Sequence, residues 1–468
     1  MWLAFAGMCA FVCSAFAAEK TPSDAGPENA LQPEVSAKID KAAREVLAKT
    51  GAPSASIAVV ENGRLAYVHA YGTANLELRN PATTSMRYSI GSISKQFTAT
   101  AVLLLAQEHK LSLDDQVARW LPKITRANDV TVRQLLSMTS GYQDYWPQDY
   151  VMPNMMQPTT PEEIVTAWGG KPLDFEPGTK WQYSNTNYVI AGLIVEHAAG
   201  MPLIDYLRQQ VFDRLKMQSV TDTNQAPLPE SDPMRYQRFG LAQPRPAPKE
   251  GKGWMFAAGE LAMTAADLAT WDISVIDQTI LQPSSYHDMQ TEVQLTNGAG
   301  TSYGLGVGVS LVDGHRLISH GGEVSGFTAL NAIYPDDRKA VVVLTNLDAT
   351  SAPHDVGSAI AQILFTPSGS TAPLMQASQI FDELQHGKLN RALFSSNANA
   401  YFTDQAVKDL AASLAPLGKA VDFSEVSESL RGGMTFHKYR AQFARKNLNI
   451  TTYVMPDGKL EQYIVAAE

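Results

Sequence analysis

Segments with strand patterning lie at the two ends of the first 365 residues and are missing between them, and this separation limits the fold more than any other feature. Near the start, SASIAVV (54–60) and RLAYVHAYG (64–72) flank Asn62-Gly63, a dipeptide that accepts the positive φ of a tight hairpin turn. Near the end come YGLGVGVSLV (303–312), HRLISH (315–320), GFTALNAIYP (326–335) and KAVVVLTNL (339–347). Asp313-Gly314, Gly321-Gly322 and Pro335-Asp336-Asp337 punctuate them. The simplest arrangement is one antiparallel sheet built from both ends, with helices packed on it and a mainly helical subdomain inserted over roughly residues 92 to 290. SISKQFTATAVLLLAQEHK (92–110) and SNTNYVIAGLIVEHAAG (184–200) carry the helical pattern there. Residues 33–50 add a helix with Val35, Ile39, Ala42, Val46 and Leu47 on one stripe.

At Phe365 the periodicity stops. Residues 366–373 read as a linker, and 374–468 as a small α+β domain with helices first (375–387, 403–418) and strands after them (435–444, 448–456, 459–467). Ten basic and ten acidic residues cancel in that last domain, so the net charge of −10 belongs to the chain before the linker. An acidic balance with no Lys/Arg run excludes a nucleic-acid surface or a polybasic membrane anchor. With 45% hydrophobic and only 18% charged residues, 468 residues supply a core for two or three folding units, not a disordered chain.

Residues 1–17 are apolar and end in Ala15-Phe16-Ala17, the small-x-small pattern of a cleavable signal peptide; residues 18–32 are a polar linker, and domain sequence starts at Pro33. Export to the periplasm or the medium of a bacterium is the expectation, with a retained short anchor as the alternative. Cys9 and Cys13 are the chain's two cysteines and both fall in this segment. The mature chain is therefore expected to hold no disulfide, Cys-ligated zinc or Cys nucleophile, and no membrane-spanning segment after cleavage.

Ser92-Ile93-Ser94-Lys95 sits where a turn enters an apolar helix. Positions i and i+3 share a helical face, so the Ser92 hydroxyl and the Lys95 amine can lie one turn apart. A lysine made neutral by burial and by the positive helix end can take the serine proton; an N-cap serine beside a surface lysine is the ordinary alternative. Further along, Tyr183-Ser184-Asn185 opens a second apolar helix, and His320-Gly321-Gly322 ends a strand. The three elements in this order, each at a structural edge, form a stronger signal than any one alone.

Together they resemble the serine β-lactamase and penicillin-recognising superfamily, in particular its class C-like branch of β-lactamases, D,D-peptidases, D-amino-acid peptidases and esterases. The resemblance spans about residues 35 to 365, with support from LLSMTSGY (135–142), FEPGTKWQYSNTNYVIAGLI (175–194), AAGELAMTAADLATW (257–271) and YGLGVGV (303–309). It implies a β-lactamase/transpeptidase-like α+β fold. Ser92 would be the acylated nucleophile, Lys95 its activating partner and Tyr183 the proton relay. Asn185 would bond the lysine or a substrate amide, and His320 would line the site. Backbone N–H groups of Ser92 and Glu323 would form the oxyanion hole, and Gly321 and Gly322 would let an extended substrate lie against the strand.

The chain departs from β-lactamases and D-Ala-D-Ala peptidases at His320-Gly321, where a carboxylate-binding hydroxyl is missing, and at Glu323, which adds a negative charge. Both changes disfavour carboxylate-bearing β-lactams and favour esters or small D-amino-acid amides and peptides. A penicillin-binding, D,D-peptidase or β-lactamase-type protein, or a low-turnover scaffold that binds cell-wall fragments, is the alternative. No cofactor or metal is expected. Gly304-x-Gly306-x-Gly308 lacks the dinucleotide spacing, no G-x-S-x-G or H-E-x-x-H occurs, and His69, His197 and His287 show no ligand spacing. The aromatic loop GYQDYWPQDYV (141–151) reads equally as a cleft wall and as a simple anchor.

Overall fold

The computed structural model describes residues 30–365, 371–444 and 446–468. The expected signal peptide, most of the linker after it and residues 366–370 of the second linker lie outside the described residues. The chain divides into two compact units, the first ending at Ile363 and the second running from Leu364 to Glu468.

In the first unit, seven strands form one antiparallel sheet in the order Asn80–Pro81, Arg64–Asn75, Ser54–Glu61, Lys339–Thr345, Phe327–Tyr334, His315–Val324, Gly308–Val312. The two ends of the unit meet at the centre, where Ser54–Glu61 pairs with Lys339–Thr345 in a register that sets Ile57 opposite Val343. The Asn62-Gly63 hairpin forms as expected, with φ of 55° and 72° at those residues. Helix Ala265–Ile276 packs on the central strands, while helices Ser94–Gln107 and Asn185–Ala199 pack on each other. Helix Pro33–Thr50 buries Ile39, Ala43 and Leu47, so its inner stripe uses Ala43 where Ala42 was expected.

Two features differ from expectation. Residues 303–307 are not part of the sheet strand, which starts at Gly308. Gly306 has φ of 79°, and the Gly304 N–H closes a turn on Val307 O at 2.8 Å, so these glycines serve close approach instead of a ladder, Gly306 to the site helix at Lys95 O and Gly304 to Met289 O. Two short strands of the inserted region, Leu261–Met263 and Thr221–Asp222, also join Tyr88–Ser89 just before it in a small three-stranded sheet whose strands are too short to show alternation.

The helices are fastened to the sheet by a buried polar network. Gln96 Nε2 donates to Asn331 Oδ1 at 2.8 Å, Trp271 Nε1 donates to Gln96 Oε1 at 3.0 Å, and Asn331 Nδ2 donates to Asp272 Oδ1 at 2.7 Å. Asp272 Oδ2 has no partner, and burial pushes this carboxyl well above the usual carboxylate range. A group whose folded pKa is raised keeps its proton in the fold. Its contribution is complete below the unfolded value and is lost as pH rises toward the folded one. Asp272→Asn carries no such dependence. The difference in Tm between variant and wild type should therefore grow in favour of the variant from about pH 5 to about pH 8, and a flat difference across that range would contradict a protonated Asp272.

The second unit has a four-stranded antiparallel sheet, Asp422–Arg431, Met434–Gln442, Asn447–Val454 and Leu460–Ala467, in sequence order. Helices Thr371–Gln385 and Asp404–Leu414 join it around a core that includes Phe381, Tyr439 and Ile450. The first helix begins at Thr371, inside the linker expected for 366–373, because Pro373 falls in the first turn, where no N–H is needed. The strand Asp422–Arg431 was not anticipated, since its mostly exposed, polar residues carry no hydrophobic alternation.

Candidate active site

Ser92 lies in the single 3-10 turn Gly91–Ile93 that leads directly into helix Ser94–Gln107. The turn is possible because Gly91 takes φ of 52° and lacks a Cβ, which would sit 2.8 Å from Glu323 N. Strand His315–Val324 therefore runs against the serine turn, and Gly322 permits this, since a Cβ there would lie 1.9 Å from Ile90 O. The backbone N–H groups of Ser92 and Glu323 come from these two adjoining segments.

Lys95 is fully buried one turn along the helix. Its Nζ contacts Ser92 Oγ at 2.9 Å, Asn185 Oδ1 at 2.9 Å and Ala258 O at 2.8 Å. Burial pulls its pKa down to about 7, against an opposing pull from Asp144. A neutral amine has two N–H bonds and one free electron pair. Asn185 Oδ1 and Ala258 O accept the two N–H bonds, which leaves the electron pair facing the Ser92 hydroxyl.

The Tyr183 phenol hydrogen-bonds Ser92, and burial holds its pKa above the ordinary value, so it is a neutral phenol near pH 7. Its ring lies 5.0 Å from Lys95 Nζ. His320 is buried, and burial with the nearby Lys95 pulls its pKa down to about 4. The ring is therefore neutral: Nδ1 donates to Gly321 O and Nε2 accepts from Tyr303 OH at 3.0 Å. An uncharged, doubly bonded imidazole offers no cation to a substrate carboxylate.

A cavity of about 660 Å³ opens over these groups, lined by Ser92, Tyr183, Asn185, His320, Gly321, Gly322 and Glu323, with Lys95 beneath the serine. The structure thus brings together all eight residues expected from the sequence. The aromatic loop takes both of its expected parts. Trp146, Tyr150 and Val151 line the cavity, while Tyr145 OH donates to Trp254 O at 2.7 Å and anchors the loop. Three carboxylates also line the cavity, Asp144, Glu323 and Asp348, with no Lys or Arg among the described lining residues. Glu323 Oε1 accepts the Ala349 N–H at 2.9 Å.

Asp144, Ala258 and Tyr303 were missed at the sequence level. Asp144 lies in the loop already singled out for its aromatics, but nothing in that stretch marks its carboxylate as a partner of Asn185, 41 residues away. Among the described residues, one group offers three metal-ligand atoms within reach of one another, Glu425, Glu428 and His437 of the second unit. There His437 Nδ1 pairs with Glu425 Oε1 at 2.6 Å.

A family model described as beta-lactamase matches residues 39–364. The chain belongs to the beta-lactamase family, a family of serine hydrolases. It is 27% identical over 307 residues to penicillin-binding protein 4* of Bacillus subtilis, covering 62% of this chain and 67% of that protein. Among solved structures it is similar to a D-stereospecific amidohydrolase from Streptomyces sp., with a TM-score of 0.61 and 27% identity over 71% of this chain and 99% of the other. It is also similar to the D-amino acid amidase of Ochrobactrum anthropi, with a TM-score of 0.62 and 25% identity over 71% of this chain and 97% of the other.

Proposed function

We propose that this protein hydrolyses esters and small amides of amine-bearing acyl groups, D-aminoacyl amides above all, through an acyl-enzyme on Ser92. The observation that carries the reading is the buried Lys95, with Ser92 Oγ, Asn185 Oδ1 and Ala258 O all within 2.9 Å of its Nζ, so that in the neutral form the two carbonyl oxygens take the N–H bonds and the electron pair meets the Ser92 hydroxyl. In acylation the Ser92 proton passes to Lys95 as Oγ bonds the substrate carbonyl carbon. The oxyanion that forms accepts from the N–H groups of Ser92 and Glu323, an arrangement worth about 3 kcal/mol of barrier per donor. Tyr183, bonded to Ser92, hands its phenol proton to the departing alcohol or amine and is reprotonated by the proton that Lys95 took from Ser92, and water later takes the acyl group by the reverse relay.

The charge of the cavity supports the substrate class. Asp144, Glu323 and Asp348 line the cavity, with burial raising the carboxyl pKa of Asp144 and Asp348, no Lys or Arg stands among the described lining residues, and His320 is neutral. At an effective dielectric near 20, two like charges about 4 Å apart cost about 4 kcal/mol, and opposite charges gain as much. A free amine next to the scissile bond suits such a wall and a carboxylate does not. The similarity to two D-selective amidohydrolases supports the same choice. Segment 1–17, read as a cleavable signal peptide, supports export as the setting of this activity.

Intact-mass measurement after short incubations with a p-nitrophenyl ester, a D-aminoacyl amide and a penicillin tests this, with Ser92→Ala alongside. Ser92-dependent acylation or turnover with the ester and the D-aminoacyl amide, and little with penicillin, is the expected result. A stable adduct with penicillin alone would replace the reading by that of a penicillin-binding protein.

A further inference from the structure

We propose that Asp144 is a positioning residue for the Ser92–Lys95 pair: it holds the amide nitrogen of Asn185, so that the amide oxygen faces Lys95 and the lysine's electron pair faces Ser92. The inference rests on the acyl-enzyme reading above. The two ends of an asparagine amide have the same shape and opposite hydrogen-bonding character, so the partner at one end decides which atom appears at the other. Asp144 Oδ2 accepts from Asn185 Nδ2 at 3.2 Å, and Oδ1 accepts from Asn185 N at 2.9 Å and from Trp146 N at 3.3 Å. Three donors converging on one side chain suit an ionised carboxylate, which only accepts.

With its nitrogen engaged, Asn185 has only Oδ1 to present to Lys95, at 2.9 Å. Were the amide reversed, its NH2 would point at the lysine and claim the electron pair. Lys95 would then donate to Ser92 and could not take its proton. Asp144 thus acts through Asn185, and it also acts by charge. The groups facing Lys95 are Asp144, the rings of Tyr183 and Tyr188, and the neutral His320. Of these Asp144 supplies the negative charge that favours the ammonium form. Without it, the lysine loses its proton at lower pH.

The test compares Asp144→Asn and Asp144→Ala with wild type and Ser92→Ala in the full-length protein, as pH profiles of kcat and KM. An uncharged ester, p-nitrophenyl acetate, is the substrate, so that the cavity's charge does not enter KM. Asp144→Ala should lower kcat by about 100-fold with KM changed by less than about threefold, the size of effect expected when a general base is misdirected. Asp144→Asn, nearly the same shape, should fold as wild type by circular dichroism and move the acidic limb of kcat/KM to lower pH. It keeps the inference testable if the alanine variant fails to fold. Ser92-dependent hydrolysis with wild-type kcat and an unmoved acidic limb in Asp144→Asn would overturn the inference while leaving the acyl-enzyme reading intact. Full activity in Ser92→Ala would instead remove the acyl-enzyme reading and this inference with it.

Discussion

Lys95→Met should lose about four orders of magnitude in kcat toward both ester and amide, near the upper end of what a positioned general base contributes. In wild type, kcat/KM should rise with pH through about 7 and then level off, because Lys95 accepts a proton only when neutral and its pKa is pulled down to about 7 by burial. The Tyr183 phenol is held above its ordinary value of 10.0, so it sets no falling limb below that pH. In the methionine variant the residual rate should be flat across the same range. The fold should survive the change. Asn185 Oδ1 and Ala258 O lose a donor at about 1–3 kcal/mol each, but the buried position no longer has to desolvate an amine. Circular dichroism and a pH–rate profile on the same preparations check both halves. An acidic limb near pH 7 that persists in Lys95→Met would assign the titration to another group.

The second large effect concerns backbone contact. Gly322→Ala would put a Cβ 1.9 Å from Ile90 O and 2.8 Å from Ile90 C, both backbone atoms of the segment that enters the Ser92 turn. No rotamer relieves such an overlap, so strand and turn must separate. Overpacking of this kind costs about 1–3 kcal/mol, and it moves Glu323 N away from Ser92. Loss of one oxyanion donor alone lowers kcat by about 100-fold to 1,000-fold. Gly321→Ala is the control. Its Cβ would meet His354 Nε2 at 3.6 Å and Ala329 O at 3.8 Å, which is ordinary contact, so Tm should stay near the wild-type value. Thermal unfolding with single-turnover acylation of the two variants separates the cases. Equal thermal stability of Gly321→Ala and Gly322→Ala would show that the strand does not constrain the serine turn.

Much of this site was legible because its first step is local. Ser92 and Lys95 meet through the rise and turn of one helix, and the i, i+3 spacing states that contact whatever the rest of the chain does. The two strand groups also announced their sheet, since alternation and turn residues are local, and pairing between the ends was the economical way to close it. Where expectation slipped, a tertiary cause is visible. Tyr303–Val307 has apolar alternation, yet it leaves the ladder. A Cβ on Gly306 would lie 2.9 Å from Lys95 O, and one on Gly304 2.1 Å from Met289 O. Strand Asp422–Arg431 escaped notice because it is a mostly exposed edge strand in which Phe423 alone joins the second unit's core, too little to set a hydrophobic period.

The sequence by itself determined the elements, the hairpin at Asn62-Gly63, the serine–lysine turn and the set of side chains that could do chemistry, because each depends on neighbours within about one helical turn or one strand pair. Only the tertiary structure decided that Lys95 is buried and which acceptors aim it. Asn185 lies 90 residues from the lysine and Ala258 163 residues from it. It alone turned the Asn185 amide by way of Asp144, buried His320 beside Lys95 as a neutral ring, and gathered three carboxylates around one cavity. The physical reason is that a buried polar atom must find a partner, yet that partner can come from anywhere in the chain and leaves no period in the sequence to mark it.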